Sequence, residues 1–468
     1  MKFSIKSSII GTMLVMLILI AANVFAGDGG LSQGTIEQLK KSFVLDAPTE
    51  ATFNAITNNN INELALNRKL LNSHNEIFNH KIKTNGITNQ KSSGRCWLFA
   101  GLNIMRPQVM EKYKLTSFEF SQNYLAFWDK MEKANCFLEH IIEYRDRDPL
   151  DREMEILLRD PFGDGGWWEY VVALIQKYGA MPKEIMPETN SSENTDAMNN
   201  LISRKLRMDA IELRKMHQEG KPIEQIRTEK EVMLSEIYRM LALNLGAPPS
   251  EFQWRFEDRD SVVSDLKTYT PKNFYEEYVG VDLNSYVSLF NDSSKDLDKH
   301  FTIKMSRNIY DGNDIDFVNT DIESLKKIAM KSVLEDEPVW FACDVGEDQY
   351  RDKGIMAIDI YDYKPVYGTE LYIPKADRVL FRDSAPNHAM VFIGVDIQHD
   401  KPVKWLVENS WGNEKGSDGY WTLYDSWFDN HLYNIIVKKK FVPKEILKIF
   451  DEKAIELPPW DPMYSILK

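Results

Sequence analysis

The sequence has few cysteines, three in 468 residues, at positions 96, 136 and 343. Three thiols cannot form the network of disulfides that holds small secreted domains together. Cys136 and Cys343 could pair, but the apolar run that ends at Cys343 predicts a buried strand, and small buried thiols are common in protein cores. A disulfide scaffold is therefore excluded, and each cysteine is interpreted separately.

The chain is also short of positive charge, with 57 Lys and Arg against 71 Asp and Glu and a formal net charge of −14. Proteins that bind phosphate backbones carry a basic surface, so nucleic acid is not an expected partner. Hydrophobic residues make up 43% of the chain and aromatic residues 12%, enough for a large core. This length and composition predict a globular main body with insertions or appendages.

One long apolar run is present, from Ile9 to Ala22, and it follows Lys2 and Lys6. Val24-Phe25-Ala26 then precedes a polar segment, an order that predicts a secretory signal over residues 1–26 with cleavage after Ala26. An uncleaved membrane anchor is the alternative, because the run is long for a signal but short for a span. Cleavage would change the net charge from −14 to −16. We expect an exported protein, periplasmic or secreted, with no membrane association after the signal is removed.

Composition divides the rest of the chain into five predicted segments. The region after the signal is polar and lacks strong periodicity, whereas charged helix-favouring stretches dominate a later region, most clearly from Ile223 to Leu245. Short apolar or alternating runs, typical of strands, follow that region. The segments are an N-terminal arm (27–80), a helical lobe (81–187), a helical insertion (188–334), a β-rich lobe (335–440) and a C-terminal arm (441–468).

Cys96 is a candidate nucleophile because of its place in the sequence. A loop containing Gly94 leads into the apolar segment from Cys96 to Met105, which predicts a buried helix beginning at the cysteine. A helix N-terminus stabilises a thiolate, the form that attacks a carbonyl. The Gln90 amide and the main-chain N–H of Cys96 can both stabilise the negative oxygen that this attack creates. The alternative for a cysteine in an apolar helix is an ordinary core residue.

His388 and Asn409 are candidate partners of that thiol. His388 heads an apolar strand-like run, and Asn409 ends a second such run 21 residues later. Adjacent antiparallel strands can place the amide against the imidazole, which needs a group to fix its tautomer. Trp411 can then shield this hydrogen bond from water. Taken singly, a structural histidine and a turn at Asn-Ser-Trp-Gly are alternatives; with Cys96, the three residue types form a nucleophile, a base and an orienting group.

These residues resemble the catalytic signatures of the papain superfamily. Two features depart from plain papain: Ser93-Gly94-Arg95 precedes the cysteine, and 292 residues separate Cys96 from His388. Both departures are similar to the bleomycin hydrolase/aminopeptidase C branch. The motifs that carry this resemblance are Thr88 to Trp97, Phe120 to Tyr124, Asp164-Gly165-Gly166, Tyr178-Gly179, Pro338 to Gly346, Glu408 to Gly412 and Leu457 to Met463.

The resemblance implies an α+β papain-like fold with two lobes, a helical lobe that carries the cysteine and an antiparallel β-rich lobe that carries His388 and Asn409. It also implies a cysteine peptidase that forms a thioester at Cys96, acts on the N-terminal residues of small peptides and assembles as a homohexamer. In that branch the C-terminal arm lies in the cleft and restricts it to peptide N-termini. Here the residues after Met463 are bulkier, so the position of the Lys468 carboxylate is open.

Gly165 and Gly166 are candidate substrate-binding residues, since glycines let a substrate backbone approach and pair as an added strand. A simple turn before a helix is the alternative. No histidine and acid spacing typical of a metal site is present, and no cofactor is expected. Two other functions stay open: an endopeptidase with an open cleft, and a catalytically idle papain-like binding protein, against which the intact set of Cys96, His388, Asn409 and Gln90 argues.

Overall fold

The structure is a computed structural model that describes residues 29–84 and 86–464. The predicted signal segment and Lys468 lie outside the described residues. The described chain forms two compact units, one made of residues 29–66 and 362–370 and the other of residues 67–361 and 371–464 apart from position 85. The division into five segments stays a prediction.

The smaller unit is helical, with helices over Gln33–Ser42, Ala47–Asn58, Ile61–Ala65 and Lys364–Tyr367. The first three begin after Ser32, Asp46 and Asn60, whose side chains accept main-chain N–H groups as N-caps. Local capping explains why this region forms helices without a strong apolar stripe. The Asp362 main-chain N–H donates to the Ala65 carbonyl at 2.7 Å and joins the two parts of the unit.

The larger unit contains helices on which the candidate nucleophile and its surroundings depend. The predicted helix Ile223–Leu245 is present with those bounds. The apolar segment after Cys96 ends as a helix at Asn103, and a new helix starts at Arg106 with Pro107 in its first turn, as proline requires. The α-helices of this unit are Arg68–Ser73, Cys96–Asn103, Arg106–Lys112, Gln122–Glu143, Arg152–Arg159, Trp168–Tyr178, Asn190–Glu193, Asp196–Gln218, Ile223–Leu245, Pro271–Phe274, Ile322–Leu334, Lys375–Leu380, Asp425–His431 and Lys444–Ile449.

The strands of the larger unit form a mostly antiparallel sheet and a separate hairpin. In chain order the strands are β1 His80–Lys81, β2 Phe252–Trp254, β3 Lys267–Tyr269, β4 Tyr286–Phe290, β5 Lys299–Ile303, β6 Asp316–Asn319, β7 Val339–Cys343, β8 Gln349–Tyr350, β9 Ile355–Met356, β10 His388–Gln398, β11 Lys401–Glu408, β12 Tyr420–Tyr424, β13 Leu432–Lys438 and β14 Ile455–Leu457. The main sheet has the order β14-β5-β6-β4-β13-β7-β10-β11-β12-β9-β8, β1 pairs with β10, and β2 and β3 form the hairpin.

Strands also occur inside the region predicted as a helical insertion. Helices fill residues 190–245, but β2 to β6 follow them, and β4 pairs with β13 in the main sheet. The physical reason is that runs such as Tyr286–Phe290 are apolar and buried, which favours a strand inside a sheet. Among residues 29–84 and 86–464, no helix combines the length and apolar composition that a membrane crossing needs.

The helix Cys96–Asn103 is fixed between the sheet and the helix Trp168–Tyr178. Every residue after Cys96 in this helix is buried. The indole Nε1 of Trp340 in β7 donates to the Trp97 carbonyl at 3.1 Å, which ties the helix to the sheet. A Cβ at Gly101 would lie 2.7 Å from Val171, so the glycine permits close helix packing. The cysteine therefore stands on a rigid element.

Candidate active site

The strands β10 and β11 bring His388 and Asn409 together. The two strands pair antiparallel, with Val391 opposite Glu408, so the start of one strand meets the end of the other. Nε2 of His388 lies 2.8 Å from Oδ1 of Asn409, and both side chains are buried. The spacing of the two apolar runs in the sequence predicted this contact.

The hydrogen bonds around Asn409 fix the tautomer of the histidine. The main-chain N–H of Ser410 donates to the same Asn409 Oδ1 at 2.8 Å. Because an N–H can only donate, the atom it meets is the amide oxygen, and Nε2 of His388 must carry a hydrogen to bond to it. Nδ1 is then the ring nitrogen with a free lone pair. His388 is thus prepared to accept a proton at Nδ1.

The thiol of Cys96 lies against the main chain that directly follows this histidine. Cys96 is the first residue of its helix and keeps partial solvent exposure. The main-chain N–H groups of Ala389 and Trp97 hydrogen-bond to the thiol, and Ala389 directly follows His388 in β10. The main-chain N–H of Cys96 also acts on the thiol, and as the N–H of a first helical residue it has no partner inside the helix.

Burial acts against charge on both reacting groups. It raises the pKa of the Cys96 thiol to about 11, although the surrounding main-chain N–H groups act to lower it. It lowers the pKa of His388 to about 4, against the bond from Asn409, which raises it, and with the charge of Arg351, which lowers it further. Proton transfer from sulfur to nitrogen would create two opposite charges that stabilise each other. The arrangement suits a thiol that is activated by its neighbour.

Gln90 is fixed close to the same helix N-terminus. Its Oε1 accepts the Ser410 hydroxyl at 2.6 Å, and its Nε2 donates to the Ser93 carbonyl at 2.6 Å. Its main-chain N–H donates to the Ser410 carbonyl at 2.8 Å, so the loop before the cysteine is paired with the chain after Asn409. An amide nitrogen carries two hydrogens. One of them is therefore left for another acceptor.

Trp411 covers the imidazole. Its ring centroid lies 4.7 Å from that of His388 at an interplanar angle of 32°. The guanidinium of Arg351 lies 5.4 Å from the same indole. An indole in this position keeps water from the ring that bonds to Asn409. Lys468, the remaining candidate from the C-terminal arm, lies outside the described residues.

Gly166 packs directly on the residue after the nucleophile. A Cβ at this position would lie 2.4 Å from the Trp97 indole, so no larger side chain fits. The preceding Gly165 is held at its carbonyl, which accepts from Lys133 Nζ at 2.6 Å. Residues 163–167 form no strand or helix. The close packing on Trp97 is a reason for Gly166 that the sequence did not reveal.

Two buried ion pairs that the sequence did not indicate hold the loop before Cys96. Arg95 forms a bidentate pair with Glu188, at 2.8 and 3.2 Å. Asp164 accepts from the Gly94 main-chain N–H at 2.9 Å and pairs with Lys130 at 2.6 Å. Pairing between distant residues leaves no periodic pattern in a sequence. The motif Asp164-Gly165-Gly166 was the only feature of the sequence that pointed to this region. It identified the segment but not its contacts with Gly94 and Lys130.

The C-terminal arm docks next to the helix that carries the cysteine. The Tyr464 hydroxyl lies 3.3 Å from that of Tyr170, whose ring stands edge-on to Trp97 at 5.8 Å. Further back, the carboxylate of Asp461 is buried and pairs with Lys295 at 3.1 Å. The arm therefore reaches Tyr170, which packs on the residue after the cysteine, before the described chain ends. In the described parts of the chain, no three His, Cys, Asp or Glu side chains converge as metal ligands.

Comparisons with known proteins agree with this geometry. A sequence model of the Peptidase C1-like family matches residues 30–464. Aminopeptidase C of Listeria monocytogenes serovar 1/2a is 41% identical over 392 residues, covering 83% of this chain and 88% of that one. Aminopeptidase C of Lactococcus lactis subsp. lactis is 38% identical over 435 residues, covering 92% and 98%. Bleomycin hydrolase of Gallus gallus is 37% identical over 418 residues, covering 87% and 92%.

A solved structure shows the same fold. The crystal structure of PepW from Lactobacillus rhamnosis HN001 (DR20) has a TM-score of 0.91 and 37% sequence identity, covering 94% of this chain and 100% of that one. The expected α+β papain-like fold is thereby confirmed. The chain belongs to the Peptidase C1-like family, in the branch that includes aminopeptidase C and bleomycin hydrolase, and is a cysteine peptidase.

Proposed function

We propose that the protein is an aminopeptidase that removes N-terminal residues from small peptides, with Cys96 as nucleophile, His388 as base and Asn409 as orienting residue. The observation that carries the proposal is the 2.8 Å contact between His388 Nε2 and Asn409 Oδ1, which leaves Nδ1 as the proton acceptor. Relatives named aminopeptidase C that match most of the chain support it.

The proposed reaction has two stages. His388 Nδ1 accepts the thiol proton as Cys96 Sγ attacks the scissile carbonyl, and the same proton goes to the leaving amine as the peptide bond breaks. Water, deprotonated by the imidazole, then attacks the thioester and releases the N-terminal residue. The Cys96 main-chain N–H and the second Gln90 Nε2 hydrogen stabilise the negative oxygen in both stages. Trp411 keeps water from the imidazole and Asn409 contact.

Substrate selection is proposed to involve the C-terminal arm and the two glycines. The arm docks through Tyr464 one side chain away from Trp97, which supports a role of the arm in limiting how far a peptide extends past the thiol. A terminal carboxylate at Lys468 would attract the α-ammonium of a substrate and disfavour a blocked N-terminus. Gly165 and Gly166 would let the substrate backbone pair beside Trp97.

Paired fluorogenic peptides test this function. The same dipeptide amide, free or acetylated at its N-terminus, is offered to the full-length protein, and release is followed by fluorescence. The proposal expects cleavage of the free peptide to exceed that of the acetylated one at least about tenfold, which corresponds to about 1.4 kcal/mol of discrimination. Equal cleavage of both would indicate an endopeptidase with an open cleft. No cleavage of either, with an unreactive Cys96, would indicate an idle binding protein.

Assembly as a homohexamer is also proposed, with the two long helices of residues 196–245 among the contacts. Apolar side chains are well exposed on these helices, with Ile211 at 68% and Leu243 at 77%. Exposed apolar side chains of this size favour association with a second chain where they adjoin one another. Analytical ultracentrifugation at micromolar concentration tests this assembly. A single monomer boundary would contradict it.

Export by a cleaved signal is the third part of the proposal. Support comes from the order of charged, apolar and small residues up to Ala26, and from a family match that begins at residue 30. Determining the N-terminal sequence of protein isolated from periplasm or culture medium tests it. A chain that starts at Gly27 is expected. A chain that retains its first residues in a membrane fraction would indicate an anchor.

A further inference from the structure

We infer that Asp164 is a positioning residue for the cleavage reaction, whose carboxylate holds the loop before Cys96 against the Gly165-Gly166 segment. The inference rests on the proposed function. It concerns two segments that reach the site from different parts of the chain: one carries the nucleophile, and the other is proposed to carry the substrate. Their relative position sets the distance between sulfur and scissile carbonyl.

Asp164 bonds to the nucleophile segment at two points. Its Oδ2 accepts the main-chain N–H of Gly94 at 2.9 Å, two residues before Cys96. Its own carbonyl accepts the indole Nε1 of Trp97 at 2.8 Å, one residue after Cys96. The cysteine is therefore held on both sides by the residue that directly precedes Gly165. The carbonyl contact belongs to the main chain, and the contact with Gly94 belongs to the carboxylate.

The other partners of the carboxylate fix Asp164 itself. Lys130 pairs with Oδ1 at 2.6 Å, Asn199 donates to Oδ1 at 2.7 Å and Thr195 donates to Oδ2 at 2.5 Å. Lys130 is almost fully buried, with a side-chain exposure of 3%. Four donors converge on one carboxylate with Gly94 included, so its orientation has little freedom. Such a buried and fully bonded group is suited to hold a loop.

Steric contacts also limit how closely the loop before Cys96 and the Gly165-Gly166 segment approach each other. A Cβ at Gly94 would lie 2.8 Å from Cβ of Asp164, and a Cβ at Gly166 would meet the Trp97 indole at 2.4 Å. The two segments are thus in contact on either side of Cys96, with no space for an added methyl group. The hydrogen bonds favour close approach of the two segments, and these steric contacts set its limit. Together they define one distance between the segments.

The negative charge of Asp164 also affects the pKa of Cys96, separately from its hydrogen bonds. The variants that are compared must therefore carry the same charge. Burial acts to raise the pKa of Asp164, but the charge of Lys130 and bonds from Lys130, Thr195 and Gly94 hold it well below its usual range. The carboxylate charge in turn contributes to the raised pKa of Cys96. Substituting Asp164 alone would leave Lys130 buried without its counter-charge. The useful variants therefore neutralise both residues together.

Two double variants differ in the hydrogen bond and share the loss of both charges. Asp164→Asn with Lys130→Met keeps an oxygen acceptor for the Gly94 N–H. Asp164→Leu with Lys130→Met has a side chain of similar size and no acceptor. Gly94→Ala changes the same contact from the other side without altering a charge, and Asn199→Leu removes a different donor to the carboxylate. Measurements are kcat and KM for a free-amino peptide, and the pH dependence of Cys96 alkylation by iodoacetamide, located by mass spectrometry.

The expected result separates the two double variants. The Asn pair keeps kcat within about threefold of the parent, whereas the Leu pair loses about 100-fold in kcat with a smaller change in KM, as a misplacement of about 1 Å predicts. Gly94→Ala shows a loss of kcat in the same direction, and Asn199→Leu, which removes one of the four donors that orient the carboxylate, shows a smaller loss than the Leu pair. Equal kcat values and equal alkylation profiles for the Leu pair and the Asn pair would overturn the inference. Should the Leu pair not fold, Gly94→Ala decides: unchanged kcat and unchanged alkylation in that folded variant would overturn it.

Failure of the proposed function gives a different result. If Cys96 does not catalyse peptide cleavage, Cys96→Ala retains the activity of the parent. Alkylation of Cys96 needs no peptide turnover, so the comparison of the Asn and Leu pairs remains decisive. A shifted alkylation profile in the Leu pair and in Gly94→Ala would then still support the positioning role of Asp164.

Discussion

Asn409 bonds to His388 through the oxygen of its amide, at 2.8 Å from Nε2, and the same oxygen accepts the next main-chain N–H. The shared acceptor leaves one tautomer of the imidazole, with its proton on Nε2. Nδ1 is then the base available to Cys96. The catalytic assignment depends on this relationship between two strands rather than on the identity of any single residue.

The three catalytic side chains should differ in what their removal costs. Cys96→Ala and His388→Ala should each abolish measurable turnover, because nucleophile and base act as a unit. Asn409→Ala should leave residual activity, with a loss of roughly 100-fold, since general-base catalysis survives in a fraction of ring orientations. Steady-state kinetics on variants with unchanged thermal unfolding measures this.

Cys136→Ala is the matched control for the nucleophile. Cys136 is buried and its thiol lies 3.7 Å from the Arg307 carbonyl, far along the chain from the strands that carry His388 and Asn409. Its substitution should leave kcat within about twofold of the parent. Near-normal turnover by Cys96→Ala, or loss of turnover in Cys136→Ala, would show that Cys96 is not the nucleophile.

The pH profile should report the environment of His388. The base must be neutral, so kcat/KM should fall as pH decreases through the His388 pKa of about 4. Removing the positive charge of Arg351, as in Arg351→Gln, stabilises the imidazolium and should move this acid limb to higher pH. Asn409→Ala removes a bond that raises the pKa, so its residual activity should show the limb at lower pH. Identical limbs in all three proteins would mean that another group controls the profile.

The C-terminal arm should control the preference for free N-termini. Deleting residues 464–468 removes Tyr464 and its contact with Tyr170, together with the counter-charge proposed for Lys468. Aminopeptidase activity should fall while cleavage of N-acetylated or internal bonds rises, with alkylation of Cys96 unchanged. Tyr464→Phe keeps the ring and the carboxylate and should retain the preference of the parent. If the truncated and full-length proteins show the same preference between free and acetylated peptides, the arm has only a structural role.

A buried ion pair should matter more for stability than an exposed one. Arg95→Met leaves the carboxylate of Glu188 buried without its counter-charge and should lower the free energy of unfolding by about 3 to 5 kcal/mol. Arg95 is 3% exposed and Glu188 is 9% exposed. Lys114→Met is the control, because its pair with Asp260 is 65% and 64% exposed and should contribute about 1 kcal/mol or less. Urea unfolding followed by tryptophan fluorescence compares them; equal losses would contradict the prediction.

The sequence predicted the elements that carry the chemistry because their signals are local. The apolar runs beginning at His388 and ending near Asn409 became β10 and β11, and the apolar segment after Cys96 became a buried helix broken near Pro107. The separation of these two runs was enough to predict that the histidine and the asparagine could meet across adjacent antiparallel strands. The resemblance to a known branch of the papain superfamily supplied the fold.

Other features could not be read from the sequence because they join residues far apart. The hydrogen bond of Asp164 with Gly94 and its ion pair with Lys130 join three segments of the chain. No local pattern marks a buried lysine as the partner of a particular carboxylate. Strands β4 to β6 are short runs within a charged region, and they form because β4 pairs with β13 and β6 and β5 extend the sheet from it. Pairing of that kind depends on tertiary contacts, which outweigh local propensity.

Cys96 is expected to form a thioester with the N-terminal residue of the substrate. To detect it, the protein is mixed with an activated ester of a free amino acid and quenched in acid within the first turnovers, and its peptides are mapped by mass spectrometry. An aminoacyl mass is expected on the peptide containing Cys96, removed by hydroxylamine, and absent from His388→Ala. An adduct confined to Cys136 or Cys343, or a burst of product release with no aminoacyl mass on any cysteine, would show that Cys96 is not the acylated nucleophile.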